Sequence, residues 1–183
     1  VPAAYLIPPQ FSQVIEIINT HQIKFNLVKA KRILKVQRYK FEKVQFASRP
    51  YEGRQLPSFT CSAFNETAEI EAGSLIVYTN QRALRVIVNL LEPEAPDSFV
   101  NWGFFNAFFE RKEYAEAYVM EPYAKQMIKD DSLLRNEFYK KLNEDESFKN
   151  NSGKRLDFFY KRSPFYDKDE NVYPILRLMG KKV

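Results

Sequence analysis

The chain has 183 residues, 45% of them hydrophobic and 15% aromatic, with 28 Lys and Arg against 23 Asp and Glu. That length and apolar content suit one globular domain or two small lobes and exclude a disordered tail, and the longest fully apolar runs, such as Leu75 to Tyr78, are far too short to span a bilayer. One Cys (Cys61) and one His (His21) exclude an intramolecular disulfide, a Cys-rich zinc site and any site that needs two histidines.

The net charge of +5 is unevenly placed. Residues 1–80 hold 10 of the basic and 6 of the acidic side chains, and residues 81–183 hold the other 18 and 17. The excess concentrates where Lys24, Lys29, Lys31, Arg32, Lys35, Arg38, Lys40 and Lys43 face only Glu42. Such a stripe suits nucleic-acid phosphates or an anionic polymer. No recognition signature accompanies it, so the plainer reading is a solvated strand face, and no nucleic-acid partner is expected.

Val1-Pro2 brings no initiator Met, charged n-region or apolar h-region, so no signal peptide is visible and the chain reads as an excised or processed piece. Ala4 to Ile7 is a short strand closed by Pro8-Pro9, and Phe11, Val14, Ile15, Ile17 and Ile18 recur at helical spacing over residues 10–21. Ile33 to Phe46 is rich in Val, Ile, Tyr and Phe, but its alternation changes phase between Leu34/Val36, Tyr39/Phe41 and Val44/Phe46. Bulged strands explain that pattern better than one regular strand, and a helix through Leu34, Phe41 and Val44 is the lesser alternative.

Residues 47–72, punctuated by Pro50, Gly53 and Pro57, read as loop with short strands at Phe59 to Phe64 and Ala68 to Glu71. Gly73 precedes a compact strand, Ser74 to Tyr78. Thr79 or Asn80 is placed to N-cap a helix whose Ala83, Leu84, Ile87, Val88 and Leu91 share one face, ended by Pro93 and Pro96. From Asp97, a candidate N-cap, helical spacing runs through Phe99 to Arg111, Tyr114 to Lys129 with Pro122 in a first turn, and Ser132 to Leu142. A polar stretch over 143–153 follows, and Arg155 to Tyr160 and Tyr173 to Leu178 carry no decisive pattern.

Candidate chemistry is sparse. His21 falls where a helix ends and reads as a C-terminal cap or surface residue. Cys61 lies in a strand-like segment beside Phe59 and Phe64, with no helix N-terminus to activate it, and reads as a buried inert thiol. Glu92, Glu94 and Asp97 offer carboxylates for glycoside chemistry, but such pairs normally face each other from different elements, and helix termination with an N-cap is the plainer account. Trp102-Gly103-Phe104-Phe105 with Phe108 and Phe109 fits either a ligand groove or core, and helical spacing favours core. Five glycines, none closely spaced, supply no phosphate-binding loop. Arg49-Pro50-Tyr51-Glu52-Gly53-Arg54 gathers charged donors and an aromatic ring around a turn. It suits a carboxylate or a neighbouring domain, or is simply a Gly-closed surface turn.

Several segments, taken in order, resemble a known region. They are Ala4-Tyr5-Leu6-Ile7-Pro8, His21-Gln22-Ile23, Arg49 to Arg54, Gly73 with its strand, Asn80-Gln81, Leu90-Leu91-Glu92-Pro93 through Asp97-Ser98 to Trp102-Gly103-Phe104-Phe105, Glu113-Tyr114, Tyr118-Val119 and Tyr173-Pro174. The pattern is similar to the C-terminal accessory region of bacterial zinc carboxypeptidases of the carboxypeptidase A clan. The zinc-binding His-x-x-Glu motif of that clan is missing from these residues. The resemblance implies a chain with no catalytic or metal residues and no cofactor of its own, with zinc in an upstream peptidase domain of the same polypeptide. It further implies a periplasmic or extracellular protein acting on peptide or peptidoglycan. Arg49, Tyr51, Glu52 and Arg54 are then expected to contact the peptidase domain or its substrate.

The fold expected is α+β: a small mixed or antiparallel sheet from the N-terminal half, packed with helices mainly from the C-terminal half. A single accessory domain, 1–183, is expected to hold a strand-rich lobe 1–80 and a helix-rich lobe 81–183. A freestanding carbohydrate or cell-wall binding module is the first alternative function, and a hydrolase using carboxylates alone is the second.

Overall fold

The computed structural model of the chain describes residues 1–110 and 116–180. The segments Glu113-Tyr114 and Arg111, where two helices were expected to begin or end, lie outside the described residues. The chain forms two compact units, Val1–Glu110 with Asp169–Val183, and Arg111–Lys168. The described residues make a six-stranded antiparallel sheet and six α-helices, an α+β fold with its helices mostly in the C-terminal half.

The sheet lies in the first unit. Its strands are β1 (Ala4–Ile7), β2 (Asn26–Leu27), β3 (Arg32–Phe46), β4 (Pro57–Ile70), β5 (Leu75–Tyr78) and β6 (Leu176–Leu178), in the order β2-β5-β1-β6-β3-β4. Helices α1 (Ser12–Thr20) and α2 (Leu84–Leu91) belong to the same unit. All four residues of β1 are buried because both faces of the sheet are covered. On one face Tyr5, Ile7, Leu75 and Val77 pack with Val14 and Ile18 of α1, Ile87 and Leu91 of α2, and Phe99 and Phe105 beyond it. On the other, Ala4, Leu6, Ile76, Leu176 and Leu178 meet Val28, Val36 and Ile70.

This two-sided burial explains the phase slip in β3. Leu34 and Val36 serve the second core, whereas Tyr39 and Phe41 serve the first. The inward side changes where β3 meets β6, at Gln37 opposite Arg177. A second slip follows at a bulge between Glu42 and Gln45, where Lys43 takes a positive φ of 53°. The expected bulged strand is thus present, and the helical alternative is not.

Residues 47–56 form the expected loop, but in place of the expected short strands Pro57–Ile70 is one continuous strand of 14 residues, paired along its length with β3 from Arg32↔Ile70 to Phe46↔Pro57. Pro57 is tolerated as a first strand residue. Along the basic stripe, Lys31 pairs with Glu69, and Arg38 with Glu66 at 3.0 Å and Asp169 at 2.7 Å.

Helix α2 also starts later than expected. Neither Thr79 nor Asn80 caps it; Ala83 stands at that position without a side-chain hydrogen bond. Thr79 instead donates its hydroxyl to the carbonyls of Pro2 and Ala3, tying the start of β1 to the end of β5. Phe99 to Glu110 is a run of turns and a 3-10 segment, Asn106–Phe109, rather than an α-helix. Gly103, at φ +72°, is the reason: the left-handed residue reverses the chain, and an added Cβ would stand 2.9 Å from the Asn106 side chain.

The second unit contains α3 (Ala117–Asp130), α4 (Ser132–Glu144), α5 (Glu146–Lys149) and α6 (Ser152–Tyr160). Pro122 lies inside α3, not in its first turn. Asp131 caps α4 by accepting from the Leu133 and Leu134 amides, and Asp145 and Asn151 do the same for α5 and α6. These short polar caps convert the stretch 143–153 into helix starts. Met120, Ala124, Phe138, Phe148, Phe158 and Phe159 form this unit's own core.

Candidate functional site

Glu92, the residue after α2, lies at the centre of a half-buried polar network. Its Oε1 accepts from the Tyr5 hydroxyl at 2.5 Å and its Oε2 from the Tyr39 hydroxyl at 2.8 Å. Arg177 approaches Oε1 with Nε at 3.2 Å, an ion pair rather than an aligned hydrogen bond, since this buried Nε has no hydrogen-bond partner of good geometry. The same guanidinium donates to Gln37 Oε1 at 2.5 Å and lies 4.8 Å from the Tyr39 ring centroid. Tyr173, fully inside, donates to the Leu91 carbonyl at 3.0 Å.

The surroundings keep every hydroxyl protonated. Burial first, then the hydrogen bond and charge of Glu92, push the Tyr5 and Tyr39 phenols far up. Burial, with the charge of Glu92 second, does the same for Tyr173. The Cys61 thiol is pushed up to about 12, chiefly by burial and next by Glu94, which leaves it a poor nucleophile. With its oxygens engaged by two phenols and a guanidinium, Glu92 ties β1, β3 and β6 to the end of α2. In the sequence Glu92 reads as a helix-terminating residue or a candidate carboxylate, with no sign of this network; its partners Tyr5 and Tyr39 lie 87 and 53 positions away, beyond any local signal.

A second arrangement faces solvent. An open groove of about 820 Å³ runs along α2, lined by Val1, His21, Leu84, Val86, Leu90 and Asp97 among others. Val1, Leu84 and Val86 are exposed apolar side chains. His21 is the C-cap of α1, its backbone N–H donating to the Ile17 carbonyl at 3.0 Å, and it is one of the residues lining the groove. Asp97, expected as an N-cap, instead joins the groove to the aromatic block: Oδ2 accepts from Asn89 Nδ2 at 3.1 Å and Oδ1 from the Trp102 indole N–H at 3.4 Å.

Trp102 is half-buried and stands outside the core cluster, a correction to its expected core role. Phe99, Val100 and Phe105 are the core residues of this block, with Phe104, Phe108 and Phe109 packed at the margin. The Trp102 ring lies 6.3 Å from Tyr51, which projects from the turn at 49–54. Tyr51 and Arg54 exchange two backbone hydrogen bonds of 2.9 Å around Glu52 and Gly53, both at positive φ, which is the geometry of a tight two-residue hairpin turn. Arg54 places its guanidinium 4.5 Å from the Phe104 ring centroid, and Arg49, Tyr51, Glu52 and Arg54 are all exposed. The loop, the indole and the α2 groove are thus linked through Asp97.

Among the described residues, no group of three or more His, Cys, Asp and Glu side chains is placed to hold a metal ion. No helix among them is long and apolar enough to cross a membrane.

No known protein family matches the chain, and no solved structure matches it. It is 28% identical over 102 residues, 56% of its length, to Carboxypeptidase 2 of Trichophyton tonsurans, and to the same extent to Carboxypeptidase 2 of Trichophyton equinum and of Trichophyton rubrum. The matched region is 19% of each of those proteins, so the chain spans about a fifth of the curated relatives it matches. These relatives are fungal, where the sequence pattern had pointed to bacterial enzymes. The chain is similar to a part of a carboxypeptidase.

Proposed function

We propose that this chain is a non-catalytic accessory region of a secreted, zinc-carboxypeptidase-like protein, which packs on an upstream peptidase domain and helps shape substrate access. The observation that carries this reading is the similarity to one fifth of Carboxypeptidase 2. The groove along α2 supplies the docking surface, with exposed Val1, Leu84 and Val86 as its apolar centre and His21, Asp97 and Arg85 as its rim. Arg49, Tyr51, Glu52 and Arg54 extend that surface toward the substrate side, and zinc belongs to the peptidase domain. Hydrogen exchange on the chain alone and joined to the peptidase domain tests it. Greater protection of 84–90 and 49–54 in the joined protein than in the chain alone is the expected result; unchanged exchange at both segments, with peptidase activity indifferent to removal of this chain, overturns it.

The pairing of half-buried Trp102 with exposed Tyr51 favours one second reading, a carbohydrate or cell-wall binding module. Aromatic faces beside Arg49, Arg54 and Asp97 would stack a sugar ring and bond its hydroxyls. Binding of soluble glycan that is lost in Trp102→Ala, without change of fold, would favour this module over the peptidase accessory region.

A further inference from the structure

The edge of the sheet offers a modification site. β4 is the terminal strand, 14 residues hydrogen-bonded on one side to β3, and from Ser58 to Ile70 it contains no Lys, Arg or Pro. Long edges of this kind pair with other edges unless charge, proline, a bulge or a covering group prevents it. The bulge at Lys43 lies on β3, not on the free strand. The two carboxylates of β4, Glu66 and Glu69, are drawn into ion pairs with Arg38 and Lys31 and leave little charge to repel a neighbour.

In the middle of this edge stands Asn65-Glu66-Thr67, the acceptor pattern for N-linked glycans. Asn65 and Thr67 are both exposed. The Asn65 Oδ1 accepts from Gln37 Nε2 at 3.4 Å, and its Nδ2 has no hydrogen bond among the described residues. We infer that Asn65 carries an N-linked glycan, which shields the β4 edge from strand pairing. The inference rests on the secreted route proposed above. The pattern recurs at Asn150-Asn151-Ser152, but there the Asn150 amide donates to Glu146 and Asn151 caps α6, and no unguarded edge adds to the motif.

The transfer is balanced by a lipid-pyrophosphate-linked oligosaccharide. Asn65 Nδ2 attacks the anomeric carbon, the new N–C bond replaces the sugar–phosphate bond, the lipid pyrophosphate leaves, and the amide proton passes to a base of the transferase. The folded strand then accommodates the glycan on its exposed side.

The full chain, directed into a yeast secretory pathway by a foreign leader, tests this without depending on the protein's native destination. Peptide mapping by mass spectrometry is expected to find a glycan at position 65 that a glycan-removing amidase releases, leaving aspartate there. Thr67→Val abolishes it, and Thr67→Ser, which keeps both the strand and the motif, restores it. Secreted chain with an unmodified Asn65 peptide overturns the assignment. Sedimentation of the enzymatically deglycosylated protein is expected to show more self-association than the glycosylated form, and equal monomer content in the two overturns the shielding role. Localisation of the protein in its own source separately tests the secreted reading.

Discussion

The Arg177 guanidinium reaches Glu92 at 3.2 Å while lying 4.8 Å from the Tyr39 ring centroid, so a single cation from β6 meets both the end of α2 and a side chain of β3. Their side chains are only 11% and 18% exposed. Such a pair is sensitive to loss of one member, because the survivor is left charged in a poorly solvated place.

Glu92→Ala is therefore expected to destabilise the first unit by about 3–5 kcal/mol, the range for a buried pair that loses one partner. Replacing both members, with Glu92→Leu and Arg177→Met, is expected to cost less than Glu92→Ala alone. Urea denaturation followed by far-UV circular dichroism compares them, and a double variant weaker than the single one contradicts the assignment.

Alkaline pH should weaken the fold. The ordinary thiol and phenol pKa values are 9.0 and 10.0, and burial raises Cys61 to about 12 and Tyr5, Tyr39 and Tyr173 in the same direction. The folded chain thus keeps protons that the unfolded chain has released. This stability is fully present below about pH 9 and is lost as pH rises through the folded-state values. Melting temperatures should hold from about pH 7 to 8.5 and then fall, and Tyr39→Phe should flatten the fall; a level profile to about pH 11 would count against the network.

Trp102→Ala is expected to cost clearly less than Phe105→Ala, which should lie near the ~3–5 kcal/mol of a buried aromatic deletion. Thermal melts of the two variants separate a marginal indole from a core ring. Equal losses would place Trp102 in the core after all.

At the hairpin turn, Arg49→Ala should change stability by no more than about 0.5 kcal/mol, as at other exposed sites, whereas Arg54→Ala should lose about 0.5–1 kcal/mol from its contact with Phe104. In the protein carrying the peptidase domain, both should weaken domain association. Intact association and activity in both variants would remove the loop from the proposed interface.

Gly103→Ala should destabilise the chain by about 1–2 kcal/mol through its left-handed backbone alone, and further through the close approach to Asn106. Calorimetry measures it. A neutral effect would mean that the turn at 99–109 relaxes without cost.

The sequence pattern was most legible where a segment's own apolar pattern matches its burial. Ala4–Ile7 and β5 are short unbroken apolar runs buried on both faces of the sheet, and α1 and α2 each carry an apolar stripe at helical spacing. β4 was not legible, because its register comes from β3 rather than from its own Ser, Thr, Ala and Asn residues. The turns after Asp97 imitated helical spacing: Phe99, Val100 and Phe105 all point inward, but Gly103 brings them there by reversing the chain. The Arg49 to Arg54 turn was visible from its composition. The Glu92 network was not, since its members are brought together only by strand order and meet from four separate segments.

The position of β6 has a consequence for biosynthesis. It separates β1 from β3, and its Arg177 meets Gln37 across 140 positions of chain. Until residues 176–178 leave the ribosome, β1 and β3 lack their common neighbour, and the sheet can exist only as two incomplete halves, β2-β5-β1 and β3-β4. Completion of the sheet is therefore delayed until most of the chain has been made, while the helical unit at 111–168 has its own core and can fold earlier. Nascent chains halted before Leu176 should accordingly resist proteolysis in the helical unit and remain open to it in the strands.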